Sequence, residues 1–189
     1  MNGLFHAALE IQGFMESRGW RFTVIGGLAV VRFGEPQATQ DVDVCLLTGF
    51  GGEQAYVEEI LRHFPARIPD AQRLAMENRV LLINASSGVP IDVSLAGIPF
   101  EEQLIERSSL FPFLPDVSLR TCSAEDLIVM KVFAGRPKDW AAVEGILARQ
   151  TGTLDWSYVN AQLVPLCELK GEPESAERLL ALRRQAEQR

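Results

Sequence analysis

Leu4, Phe5, Ala8, Leu9, Ile11 and Met15 recur at helical spacing across residues 3–18, and Gly19 supplies a stop. The pattern then changes. Arg21-Phe22-Thr23-Val24-Ile25-Gly26-Gly27 is a short β-branched and aromatic run closed by two glycines, which predicts a buried strand and a tight turn. Leu28 to Arg32 predicts a short helix closed by Gly34 and Pro36, and Asp41 to Leu47 a second strand punctuated by Gly49, Gly51 and Gly52. Tyr56 to Phe64 reads as an amphipathic helix. Arg79–Asn84 and Pro90–Leu95 read as a hairpin across Ala85-Ser86-Ser87-Gly88. From about residue 100 the pattern reads as helical throughout. Ser123, with the acidic Asp126 three places on, opens a helix that runs to Ala134. Gly135 stops it, Pro137 suits the first turn of the next, and two more helices are expected near 155–166 and 173–188. No repeat or low-complexity segment interrupts this order. The expected fold is α/β (α+β): a mixed sheet with flanking helices in residues 1–120, then a helical part over 121–189 packed on it.

Composition narrows the class. At 189 residues, 47% hydrophobic and 23% charged, the chain has material for a packed core and is neither disordered nor fibrous. Its apolar runs are too short and too often broken by charge to cross a bilayer, so no membrane partner is expected. The N-terminus lacks a basic segment and meets Glu10 early, unlike a secretory signal. Cys45, Cys122 and Cys167 form neither a disulfide framework nor a zinc spacing, which suits a reducing, cytoplasmic setting. The net charge is −7 overall; residues 1–130 carry 9 basic and 17 acidic groups, while 131–189 carry 9 and 8. An acidic body argues against general coating of nucleic acid, which depends on neutralising phosphates.

The sharpest chemistry is Gln40-Asp41-Val42-Asp43-Val44. Strand alternation sends both acids to one face, with about 6.6 Å between their Cα atoms. Two carboxylates side by side repel, and aspartate is disfavoured in strands, so the pattern makes sense if a hard divalent cation such as magnesium neutralises them. An isolated Asp-x-Asp also fits two solvated acids at a strand end. Ile91-Asp92-Val93-Ser94-Leu95 repeats the oddity on another strand, offering a third carboxylate for a two-cation site that acts on a hydroxyl, or else an exposed edge-strand acid. Upstream, Gly26-Gly27 ends a strand and opens a helix, where backbone N–H groups can approach a phosphate closely.

Gly26-Gly27, Arg32, Thr39, Asp41-Val42-Asp43-Val44 and Ile91-Asp92-Val93 together resemble the DNA polymerase beta-like nucleotidyltransferase superfamily. Glu125-Asp126-Leu127-Ile128-Val129-Met130-Lys131, with Gly135-Arg136-Pro137-Lys138-Asp139, is similar to a helical motif of AbiEii-type toxins and related minimal members. The resemblance spans residues 20 to 150 or so. It implies a nucleotidyltransferase-like sheet domain followed by a helical bundle, two magnesium ions, and a nucleoside triphosphate as substrate. Asp41 and Asp43 would hold the metal that bridges the phosphates; Asp92 would share the second metal and assist deprotonation of the acceptor hydroxyl. Gly26, Gly27 and Thr39 would belong to the nucleotide site, with Lys131, Lys138 and Arg32 neutralising the triphosphate and Asp139 in a catalytic or orienting role. The acceptor would be tRNA, a protein or a small molecule, and the toxin branch implies an antitoxin partner. Gly27 departs from the family, where a serine is common.

Several residues also have plain readings. Lys131 and Lys138 fit helix-surface lysines, and Arg136 with Asp139 an i,i+3 ion pair. His6 and His63 lack neighbours that would make a hydrolase triad, Cys45 fits a small core residue, and Phe133, Trp140 and Trp156 fit helix packing. Arg178, Arg183, Arg184 and Arg189 give the last helix a basic edge, by default solvated, with a tRNA or an acidic partner as the alternative. Two other functions fit less well. A binding or regulatory module that retains the fold is suggested by Gly27, and a sugar transferase by Asp-x-Asp, although the chain is short for that fold.

Overall fold

The computed structural model describes residues 2–35, 38–150 and 152–188; Pro36 and Arg189 lie outside them. These residues fall into two compact units, Met1–Leu28 with Ala38–Cys122, and Ala29–Gln37 with Ser123–Arg189. The first unit begins with α1 (Asn2–Glu16), β1 (Phe22–Ile25) and the start of α2 (Gly26–Phe33). It continues through β2 (Val42–Leu47), α3 (Glu53–Leu61), α4 (Ala71–Asn78), β3 (Val80–Asn84), β4 (Pro90–Ala96), α5 (Pro99–Glu106), β5 (Ser109–Leu114) and β6 (Val117–Thr121).

The six strands form one mixed sheet in the order β3-β4-β2-β1-β6-β5. β2 lies antiparallel to β1 and parallel to β4, so Val44 pairs with Val24 on one side and Val93 on the other. Alternation sorts the side chains. Val42, Val44, Leu46, Ile91, Val93, Leu95, Leu81 and Ile83 share one face and join Phe5, Ala8, Ile11 and Met15 of α1 and Val57 and Ile60 of α3 in a single buried core. Each such aliphatic side chain contributes roughly 1.5–3 kcal/mol by leaving water. Asp43 and Asp92 face the other way. Cys45, on their side of β2, is buried as a small core residue, and burial holds its thiol protonated, far above the ordinary range.

The hairpin over β3 and β4 falls within one residue of the expected ends, and α2 starts two residues early, at Gly26 itself. The expectation of helix throughout after residue 100 was wrong. Residues 109–121 form the antiparallel pair β5–β6, and α4 was also unforeseen. β6 does alternate, with Val117, Leu119 and Thr121 buried and Ser118 and Arg120 turned outward. Its partner β5, Ser-Leu-Phe-Pro-Phe-Leu, does not alternate apolar with polar residues, and Pro112 would ordinarily forbid a strand. β5 is tolerated because it lies at the sheet edge, with a register shift between Pro112 and Leu114.

The second unit adds α6 (Ala124–Ala134), α7 (Pro137–Gln150), α8 (Trp156–Lys170) and α9 (Glu174–Glu187). The Ser123 hydroxyl accepts the Asp126 N–H at 3.1 Å, and Gly135 closes α6 with φ +68°, a conformation that favours glycine. The basic edge of α9 is not wholly solvated: Arg178 lies 4.0 Å above the Trp140 ring and Arg183 lies 4.5 Å above Trp156. No helix among the described residues is long and apolar enough to cross a membrane.

Asp139 is fully buried in this unit, 3.1 Å from Lys131 Nζ and 2.5 Å from Arg136 Nε. Burial alone would raise its pKa, but the Arg136 and Lys131 hydrogen bonds outweigh that and hold it below the ordinary value. A depressed carboxylate stabilises the fold above its unfolded pKa and loses that contribution as pH falls through its folded pKa, so the loss belongs to strongly acid solution. At neutral pH, Asp139→Asn leaves the mostly buried Lys131 without its counter-charge. Urea unfolding should show a loss of about 3 kcal/mol; a loss below about 0.5 kcal/mol, the size of an ordinary surface change, would contradict this account.

Candidate active site

Two adjacent strands and one helix start build the site. Asp43 and Asp92 are direct cross-strand partners on β2 and β4, and Asp43 pairs on its other side with Ile25, the residue before Gly26. Asp41 stands one residue ahead of β2 rather than inside it, on a bend. One oxygen from each of Asp41, Asp43 and Asp92 can be chosen so that all three lie within 4.8 Å of one another, each residue half-buried.

The glycine turn fits around these acids. Gly26 has φ +62°, and a Cβ built on it would overlap the Asp43 carboxylate. A Cβ on Gly27 would overlap the Thr39 side chain, whose Oγ1 donates to Asp41 Oδ1 at 2.9 Å. Both glycines are therefore required by close approach to the acid cluster, and the hydroxyl of Thr39 stands over the turn where Gly27 brings none. The first N–H groups of α2 have no carbonyl partners within their own helix and carry its positive dipole end.

The donors suit a hard divalent cation: three carboxylates with charges that repel unless neutralised. Asp92 Oδ1 is shut off from solvent and accepts no hydrogen bond from the described residues. Arg67 Nη2 does stand 2.6 Å from it, an ion pair whose alignment falls short of a hydrogen bond. An anionic oxygen in that condition is one a cation would satisfy.

Gly26, Gly27, Thr39, Asp41, Asp43 and Asp92 thus come together in the first unit. Arg32, Lys131 and Lys138 belong to the second. The Arg32 guanidinium lies 4.5 Å above the Phe33 ring, Lys131 is engaged by Asp139, and Lys138 is exposed on α7. The structure adds Arg67, which no motif or periodicity singles out. It sits in Pro65-Ala66-Arg67-Ile68-Pro69, a stretch without helix or strand periodicity, and reaches the acids only because that stretch bridges to β3.

The model of a family described as "Nucleotidyltransferase of unknown function (DUF6036)" matches residues 3–185. Among curated proteins, none is similar enough in sequence to match. Among solved structures, an antigenic nucleotidyltransferase-like protein from Paracoccidioides brasiliensis is similar in fold, with a TM-score of 0.50 and 12% identity over 89% of this chain and 90% of that one. The antibiotic-resistance factor ANT(2'')-Ia gives a TM-score of 0.49 and 16% identity over 97% of this chain and 91% of that one.

Proposed function

The chain belongs to that nucleotidyltransferase family, and on that premise we propose that it moves a nucleoside monophosphate from a nucleoside triphosphate to an acceptor hydroxyl. The reading is carried by one observation: three carboxylates, two from neighbouring strands and one from the bend just before β2, converge to within 4.8 Å, beside a glycine turn too crowded for any side chain. Asp41, Asp43 and Asp92 hold magnesium ions in this proposal. When bound, the metal supplies Lewis-acid polarisation of the phosphate oxygens and a more acidic acceptor hydroxyl.

The protein's own groups do the positioning. Backbone N–H groups of Gly26 and Gly27 receive triphosphate oxygens at the start of α2. Thr39 steadies Asp41 through its 2.9 Å hydrogen bond and keeps a hydroxyl at the turn. Asp92 takes the proton of the acceptor hydroxyl; the acceptor oxygen bonds the α-phosphorus, the bond to the bridging oxygen breaks, and pyrophosphate leaves. Such transfer asks little covalent chemistry of the protein and much charge placement. Arg32, Lys131 and Lys138 are assigned to the triphosphate by the family resemblance alone. The resemblance to AbiEii-type toxins extends the proposal to a toxin held in check by an antitoxin. A binding module without transfer is the alternative; the hydroxyl that Thr39 keeps over Gly27 argues against it.

The test is incubation of the purified chain with magnesium, each α-labelled nucleoside triphosphate and a cell extract, followed by mass spectrometry of labelled products. Pyrophosphate release together with one nucleotide-sized mass increase on RNA, protein or a small molecule is the expected result, and the labelled fraction names the acceptor class. If no triphosphate of the four yields label or pyrophosphate, the proposal fails.

A further inference from the structure

We propose that Arg67 competes with the divalent cation for Asp92, so that the protein carries its own counter-charge and must release it to load the site. The inference rests on the nucleotidyltransferase reading above. Its basis is a lateral row across the sheet. The Arg67 N–H donates to Leu82 O at 3.0 Å, Leu82 pairs with Asp92, Asp92 pairs with Asp43, and Asp43 pairs with Ile25 just before Gly26. Arg67 is thus the cationic end of a row that otherwise presents acids to the glycine turn.

Its backbone is fixed while its head is free to leave. The bridge between Ala66 and Ile83 and the bond to Leu82 pin the stem to β3. The side chain is 27% exposed and meets Asp92, itself 29% exposed, so the pair is partly open to water although Asp92 Oδ1 is closed off. The contact that would be given up is a charge contact at 2.6 Å rather than an aligned hydrogen bond. Because the guanidinium lies on Oδ1, an ion that binds this oxygen has to displace it. A guanidinium and a metal ion that need the same carboxylate oxygen oppose each other's binding, and the opposition is reciprocal.

The test compares wild type, Arg67→Gln and Arg67→Lys as full chains, with Mn²⁺ alone as probe and free Mn²⁺ followed by electron spin resonance. Arg67→Gln should bind Mn²⁺ about five-fold more tightly, the change that about 1 kcal/mol of lost ion pairing corresponds to. Arg67→Lys, which keeps the charge, should stay within about two-fold of wild type on the same scale. Without divalent ions Arg67→Gln should melt lower than wild type, and saturating Mn²⁺ should close the gap. A merely structural Arg67 would make the variant bind Mn²⁺ more weakly. Unchanged or weaker binding by Arg67→Gln, with wild type binding normally, overturns this inference and leaves the transferase proposal standing. Absence of Mn²⁺ binding by wild type overturns both. Should Arg67→Gln not fold, the ¹⁵N-arginine spectrum of wild type decides: the Arg67 guanidinium resonance must move during Mg²⁺ titration, and a stationary one refutes the competition.

Discussion

Replacing Asp41 and Asp43 together by asparagine is expected to lower nucleotidyl transfer by at least about a thousand-fold, some 4 kcal/mol of barrier. The amide keeps the size of the side chain and removes its charge, so the loss reports electrostatics rather than packing. In the proposed mechanism two of the three carboxylates that gather within 4.8 Å are then unable to hold a cation. Stability should not follow activity. Three like charges at this spacing repel, and the double substitution relieves that repulsion, so the melting temperature without divalent ions should be no lower than that of wild type. The paired measurement is steady-state transfer with the preferred triphosphate and thermal melting in a chelator. A variant that transfers at more than about a tenth of the wild-type rate would show that these acids are not the metal site. A fold that melts well below wild type would show that they serve structure instead.

Gly26→Ala should damage both stability and function, through a backbone cause. Gly26 lies at φ +62°, where a Cβ costs about 1–2 kcal/mol on conformational grounds. The added methyl would also occupy the space of the Asp43 carboxylate. Asp43 must then rotate away or the helix start must shift, and either movement separates the acids from the turn. We expect urea unfolding to show a loss of about 2–4 kcal/mol, Mn²⁺ binding to weaken, and transfer to fall below detection. Retention of wild-type Mn²⁺ affinity and turnover in Gly26→Ala would contradict the close approach of glycine and carboxylate on which the site is built.

The parts of the site legible in the sequence share one physical trait: each breaks a local rule. Asp43 and Asp92 interrupt β-branched runs, Asp41 stands directly before one, and Gly26-Gly27 interrupts a strand-to-helix passage that ordinary residues could have made. The fold was readable wherever burial was one-sided, as over residues 80–96, where the alternation gave the hairpin to within one residue at each end. Reading failed where local chemistry and tertiary placement disagree. β5 carries a proline and no apolar–polar alternation in its sequence, because an edge position tolerates both. Arg67 lies between two prolines in an irregular stretch, and its meeting with Asp92 depends on pairing with β3, a long-range fact that periodicity does not carry. Lys131 looked like any helix-surface lysine; its partner Asp139 is fully buried, a property of the packed helices rather than of the local sequence.

The margins of the sheet have their own logic. An open row of amide and carbonyl groups invites a foreign strand to join, and chains that permit this can polymerise. Here the β5 margin offers Pro112, which has no N–H to give, and a register shift that bends the ladder. At the opposite margin, Pro65 and Arg67 already take up backbone positions on β3, with Asn84 N–H reaching Pro65 O at 2.9 Å. The short segment that delivers a cation to the acids therefore also plugs that flank against uncontrolled growth into fibres.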